Sequence, residues 1–410
     1  MQLHNDMRWF DRARDMDAVK RIWREVGWVE DRDDELAMED MFSIGTTLTG
    51  LVNGQAECAV HTTPGTMRLD QTDLDLCAVT AVTTSRLGRK RGFAKRLTAT
   101  QLAAAAERGA QMAALGMFEQ GFYDLVGFGT GSYHDEFTFD PATLLVDRSP
   151  RTPVRLSEED WRDMSSAMVN RLMTHGGCVL EPPEVVASET QWSVNGFGLG
   201  YRDDAGTLTH FIWCQTKEPE HGPLEIVMLA YRDTDQLIEL LALIKSLGDQ
   251  VRSVTMMEPP HLSLQDWLDK PFRNRGVTRG STHQGKHTSC SWFQLRVLDL
   301  HSVVPALAVA EPVTFRLDVT DPAADVLGGA WSGCAGSYTV TLGERSEIVA
   351  EQSAALPVLS GSINAVSRLL FGVRPASALA LRADLDGPAE LLQALDHAIR
   401  LPPVRPGWDF

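Results

Sequence analysis

The sequence predicts an α/β (α+β) protein made of more than one unit, and three observations predict it. The chain has 410 residues, long enough for two or three separate cores. Its apolar spacing switches between helical and strand periods along the whole length. A proline-containing stretch of mixed polarity, FDPATLLVDRSPRTPVRLSEEDW at 139–161, interrupts that alternation as a linker would. Units are therefore expected at 1–150, 151–297 and 298–410. The first two share a mixed α/β texture that would allow a diverged duplication.

The elements follow in order. DMDAVKRIWREV, 15–26, places Val19, Ile22, Trp23 and Val26 on one helical face, with Asp15 or Asp17 as N-cap. Strand-like runs flank Asn53-Gly54, a hairpin signal. DLDLCAVTAVTT, 73–84, alternates and is rich in β-branched residues, so it reads as a strand. It feeds a basic segment and a helix that stops at Gly109. ALGMFEQGFYDLVGFGTGSYHDEF, 114–137, reads as a strand, a short helix at Tyr123 and a glycine-rich hairpin. DTDQLIELLALIKSLG, 233–248, is a helix with Leu237, Leu240, Leu241 and Ile244 on one face. In the last unit VTFRLDVTD and ALALRADL read as strands, and SGSINAVSRLLFG and GPAELLQALDHAIRL as helices.

Bulk composition narrows the function. The net charge of -17 argues against general nucleic-acid binding and leaves room for cationic partners, the alternative being that surplus acid only keeps the chain soluble. No apolar run approaches the ~20 residues of a membrane span, and the polar start has no secretory apolar region. The six cysteines form no CxxC pair, so a reducing cytoplasm is expected.

RKRGFAKRL, 89–97, contains five basic side chains at a helix start, where the helix dipole makes cations unfavourable. A bound pyrophosphate would resolve the conflict. The first N–H groups of the helix form an anion site, and Arg89, Lys90 and Arg91 add charge to it.

On these residues the chain resembles the GCN5-related N-acetyltransferases (GNAT), whose acetyl-CoA motif R/Q-x-x-G-x-G/A is filled by Arg89, Gly92 and Ala94. MFEQGFYDLVGFGTG resembles one branch, the enhanced intracellular survival (Eis) acetyltransferases, through Glu119, Tyr123 and Gly127-Phe128-Gly129. WFQLRVLDL and ADLDGPAELLQALDHAIRL resemble that branch's joining segment and its sterol-carrier-protein-like last unit. The resemblance implies tandem GNAT-like domains, the second without a cofactor motif, followed by the sterol-carrier-like domain.

It further implies acetyl-CoA as co-substrate and no metal. Val82, Thr83 and Thr84 would line the acetyl and pantetheine arm. Arg89, Lys90, Arg91, Gly92, Phe93, Ala94 and Lys95 would hold the pyrophosphate, with Phe118 and Glu119 alongside. Tyr123 would protonate the leaving thiolate. The C-terminal carboxylate of Phe410 would take the amine's proton, its low basicity raised by burial. The acceptor would be a small-molecule amine, cationic like an aminoglycoside or polyamine, and the assembly a homohexamer. Two positions depart from the branch: Phe118 stands where many relatives have serine, and Leu125 where many have arginine. Rival readings are a protein lysine acetyltransferase and a non-catalytic lipid or metabolite binder.

Other signals carry less. The acidic run from Glu30 to Asp40 reads as a solvated helix face or as a lure for polycations. His283, His287 and Cys290 have metal-like spacing but no evident fourth ligand.

Overall fold

The computed structural model describes residues 3–350 and 355–408. Three sheets organise them. The first contains β1 (Met7–Trp9), β2 (Thr46–Val52), β3 (Gln55–Leu69), β4 (Thr72–Thr84), β5 (Met112–Gly116) and β6 (Gly129–Thr130). The strand Phe293–Val297 lies between β5 and β6, and Cys178–Leu180 adds to β3. Helices α1 (Arg12–Val26), α2 (Arg32–Ser43) and α3 (Phe93–Glu107) pack on this sheet. Asn53 and Gly54 turn from β2 to β3 with φ of 52° and 80°, the left-handed pair that a two-residue hairpin requires.

Asp11, not Asp15 or Asp17, caps α1 by accepting from Arg14 N–H. Asp15 is instead buried, and its carboxylate pairs with Arg8 on β1. The acidic stretch of α2 is likewise engaged. Asp31 and Asp34 form its capping box, while Glu35 and Glu39 pair with Lys20, Arg24 and Arg12 of α1.

The second sheet runs Lys286–Cys290, β7 (His134–Phe139), Val254–Met257, Leu224–Ala230, Leu208–Gln215, Phe197–Arg202, Val154–Leu156. Strand pairing crosses the boundaries expected at 150 and 297. β7 leaves the first unit to join the second sheet, and Phe293–Val297 returns to the first. The expected glycine-rich hairpin is absent, because β6 and β7 pair in different sheets. Its glycines serve packing. A Cβ on Gly127 would stand 2.3 Å from an Arg296 guanidinium nitrogen, and one on Gly129 2.4 Å from Asn364 O.

The third sheet orders Glu347–Val349, Gly336–Leu342, Val313–Thr320, Val358–Ser362 and Leu385–Asp386. Its core is continuous with that of the first sheet through Phe293, Leu295 and Val297. ALALR, expected as strand, is the helix Ala376–Arg382, begun by Pro375. Alanine and leucine are strong helix formers, and only Leu379 of the two leucines is buried.

Candidate active site

β4 and β5 run parallel and pair from Leu76–Met112 to Val79–Leu115. Beyond Val79 they part, while β4 continues to Thr84. A register shift between β3 and β4 leaves Thr80 as an extra residue at the point of parting, and a bulge there turns the strand. Val82, Thr83 and Thr84 stay bonded to β3 opposite Val60, Ala59 and Cys58, so only their outer edge faces the opening. Thr83 carries a buried hydroxyl without a protein partner.

The turn from β4 to α3 is anchored from behind. Buried Glu57 on β3 accepts from Arg21 at 2.9 Å and from the Ser85 hydroxyl, and Ser85 N–H donates to Glu57 O. Arg86 N–H donates to Glu25. A Cβ on Gly88 would stand 2.5 Å from Glu57 O, so the turn needs glycine there. Sequence reasoning missed Glu25, Glu57, Ser85 and Gly88. The glycine four residues before the motif glycine was the available signal.

Gly92 precedes α3 at φ 74° and supplies no side-chain cap. The first helical bond is Arg96 N–H to Gly92 O, so the N–H groups of Phe93, Ala94 and Lys95 lie ahead of the ladder. Arg89, Lys90 and Arg91 are exposed in the turn rather than in the helix, and with Lys95 they form no ion pair among the described residues. Arg96 is different: it pairs with Asp6 at 2.8 Å and lies over the Phe93 ring. Backbone N–H groups ahead of the helical ladder and cations without an ion pair thus adjoin the strand opening, an arrangement complementary to an anion such as a pyrophosphate.

Tyr123 opens a 3-10 turn, Tyr123–Val126, and is buried in one cluster with Val79, Phe93 and Leu115, against which Val82 and Ala94 also pack. Burial, with the Cys58 thiol nearby, pushes its phenol above the usual value of 10, so it is protonated at neutral pH. Phe118, mostly exposed, meets the Tyr123 ring edge-on at 5.7 Å. Glu119 is exposed and accepts from Gln120 N–H. Phe410, the expected base, lies outside the described residues.

The second sheet repeats the opening, but the helix beside it has a side-chain cap. Leu224–Ala230 pairs in parallel with Val254–Met257 only from Leu224 to Ile226. The helix that follows, Thr234–Ser246, is capped by the Asp233 carboxylate, which satisfies Gln236 N–H and would repel a phosphate. A cavity of about 370 Å³ occupies this region. Glu136, Glu225 and Glu258 line it, with Trp192, Trp292 and Trp408. Burial raises the Glu258 carboxyl above its ordinary value. No residue of the acidic run 30–40 lines the cavity; its carboxylates come from Glu136 on β7, Glu189 on the helix Glu184–Gln191, Glu225 on Leu224–Ala230 and Glu258 just after Val254–Met257. Met117, the residue after β5, donates its N–H to O of Trp292, a cavity-lining residue, so this cavity borders the first opening.

The chain end is threaded between the units. Val404 N–H donates to the Ser132 hydroxyl, Arg405 N–H to His175 O, and Cys178 N–H to Pro406 O. Arg405 pairs with Asp135 at 3.1 Å and Glu258 at 3.6 Å, and Arg171 donates to Gly407 O. His287, singled out for its spacing, bonds Asp135 at 2.9 Å and stacks on Phe137.

Comparison with known proteins agrees with this geometry. Residues 12–131 match the family model described as acetyltransferase (GNAT) domain. No curated protein matches the chain. Among solved structures, a conserved Enterococcus faecalis protein described as a probable N-acyltransferase is similar at TM-score 0.78 and 18% identity, covering 97% of each chain. A GCN5-related N-acetyltransferase from Kribbella flavida gives TM-score 0.74 at 16% identity, covering 99% of this chain and 98% of its own. Eis1 from Mycobacterium abscessus gives 0.75 at 15%, covering 99% of this chain and 100% of its own. These likenesses extend the shared fold over all three sheets. Residues 12–131 are therefore an acetyltransferase domain of the GNAT type.

Proposed function

We propose that the protein transfers the acetyl group of acetyl-CoA directly to an amine of a cationic small molecule, of aminoglycoside or polyamine kind. The observation that carries this reading is the parting of β4 from β5 beside an uncapped α3 N-terminus with unpaired cations. Pyrophosphate would sit on Arg89, Lys90, Arg91 and Lys95 and on the N–H groups of Phe93 and Ala94. The thioester would lie along Val82–Thr84, near Phe118 and Glu119. The free amine attacks the thioester carbonyl, and the carbon–sulfur bond breaks. Tyr123 gives its proton to the leaving thiolate, which the same apolar burial makes more basic. The Phe410 carboxylate takes the proton released by the amine.

The cavity, where four glutamates (Glu136, Glu189, Glu225, Glu258) outnumber Arg171 and Arg405 beside three tryptophans, supports a cationic acceptor, because carboxylates and aromatic faces both attract ammonium groups. The sterol-carrier-like character of the third unit, a homohexameric assembly and a cytoplasmic setting belong to the same reading.

CoA release from acetyl-CoA, measured across aminoglycosides, polyamines and lysine peptides, tests it. Release with one of the first two classes, lost in Tyr123→Ala and on extension of the chain past Phe410, is expected. Release with peptides alone would replace the small-molecule acceptor by a protein lysine. Absence of acetyl-CoA binding would overturn the reading.

A further inference from the structure

A second cavity, of about 990 Å³, shares no lining residue with the first. The loop between β5 and β6 forms one wall, and the helices Ile363–Leu370 and Ala376–Arg382 form others. Three guanidinium groups line it: Arg368, Arg374 and Arg382. None has an ion pair or hydrogen bond among the described residues.

Arg368 is the informative one. Its stem lies against Gly129, where an added Cβ would meet Cγ at 2.7 Å and Cδ at 2.9 Å. Its Nε is enclosed and has no partner. Burial and the neighbouring charge of Arg374 both work against its ionisation. A half-buried cation facing a second cation is costly unless an anion is bound between them.

The acids in the same wall do not supply that anion fully. Asp321 is committed to the buried Arg296 at 2.7 Å, and one oxygen of Asp124 accepts from Gln294. Asp325 and Asp384 also line the cavity, which disfavours a polyanion. A single planar or tetrahedral oxyanion fits the guanidinium fork best.

We propose that this cavity binds a small molecule through one carboxylate or phosphate group held by Arg368 and Arg374. The site is separate from the acetyl-transfer cleft and stands whether or not the proposed acceptor is correct. Its occupant would touch the loop that carries Tyr123 on its other face.

The test uses the full chain saturated with CoA, so that the α3 N-terminus is not available to the probe. Inorganic phosphate and acetate are titrated separately at constant ionic strength, and the thermal midpoint is followed. A saturable rise with either probe is expected, the probe that gives it naming the group. Its half-saturation point should move at least fivefold in Arg374→Gln, which alters an exposed residue, or in Arg368→Gln. No saturable rise with either probe, or a half-saturation point shifted less than fivefold in both variants, overturns the proposal.

Discussion

Gly176 backs directly onto Val404: a Cβ added to Gly176 would stand 2.3 Å from Val404 Cγ1 and 2.7 Å from Arg405 N. Gly176 also holds φ at 78°, where a side chain is strained. Gly176→Ala should therefore lift the chain end off the units it joins. The expected cost is about 2 kcal/mol, from overpacking and left-handed strain together. Arg405→Met should free the same segment without a steric clash. Both variants should raise KM for the amine more than for acetyl-CoA, since Trp408 lines the cavity proposed for the amine. Steady-state kinetics with each substrate varied in turn checks this.

Basic residues around α3 divide into two kinds by their partners. The triple change Arg89→Gln, Lys90→Gln, Arg91→Gln should weaken acetyl-CoA about tenfold or more and flatten its salt dependence, with thermal stability unchanged. Arg96→Gln should do the reverse. It loses the pair with Asp6, a partly exposed contact that contributes about 0.5–1 kcal/mol, and leaves acetyl-CoA affinity alone. Calorimetric titration with acetyl-CoA, beside thermal unfolding, separates the two.

Tyr123→Phe keeps the buried ring and its packing against Phe122 and Phe128. Only the hydroxyl is lost. With Tyr123 as proton donor, kcat should fall by about 10²–10³ while acetyl-CoA binding changes little. Equal activity of the variant would assign the tyrosine to packing alone.

Local features were readable in the chain where chemistry leaves one solution. Asn53-Gly54 makes a hairpin because both residues accept positive φ, and the run from β4 through Gly92 makes a tight turn into α3 because Gly92 takes a positive φ. The glutamate- and tryptophan-lined cavity was not readable. Glu136, Glu225 and Glu258 are far apart in sequence, and they meet because β7, which carries Glu136, crosses from the first unit to pair with Val254–Met257, the strand just before Glu258. The acidic run 30–40 looked more suggestive yet turns out to cap α2 and pair with α1. ALALR alternates only by composition, and Pro375 together with helix-forming residues decides its conformation. Asp15 matched the residue type of a cap, but Arg8 on β1 drew it into the core instead.

Acid should destabilise the fold from a pH well above the carboxylate range. His61 is fully buried between Thr47 and Thr63, and burial lowers its imidazole to about 3. His134 is lowered to about 4, mainly by burial, with Arg405 adding to it. Burial also lowers His175 and His210. Each folded value lies below the unfolded value near 6.5, so the unfolded chain takes up protons first as pH falls. Their contribution is complete above pH 6.5 and is lost on descent toward 3–4. For His61 alone the loss is about 2–3 kcal/mol by pH ~4.5. Glu239, held down to about 2 chiefly by Arg151, acts only below pH ~4.5, and Glu258, raised by burial, works in the opposite sense. Thermal midpoints measured from pH 7.5 to 4.5 should therefore fall steadily through the histidine range. His61→Gln should be less stable than the parent at pH 7.5 and show a shallower decline. A flat profile down to pH 5 in the parent would contradict the buried neutral histidines.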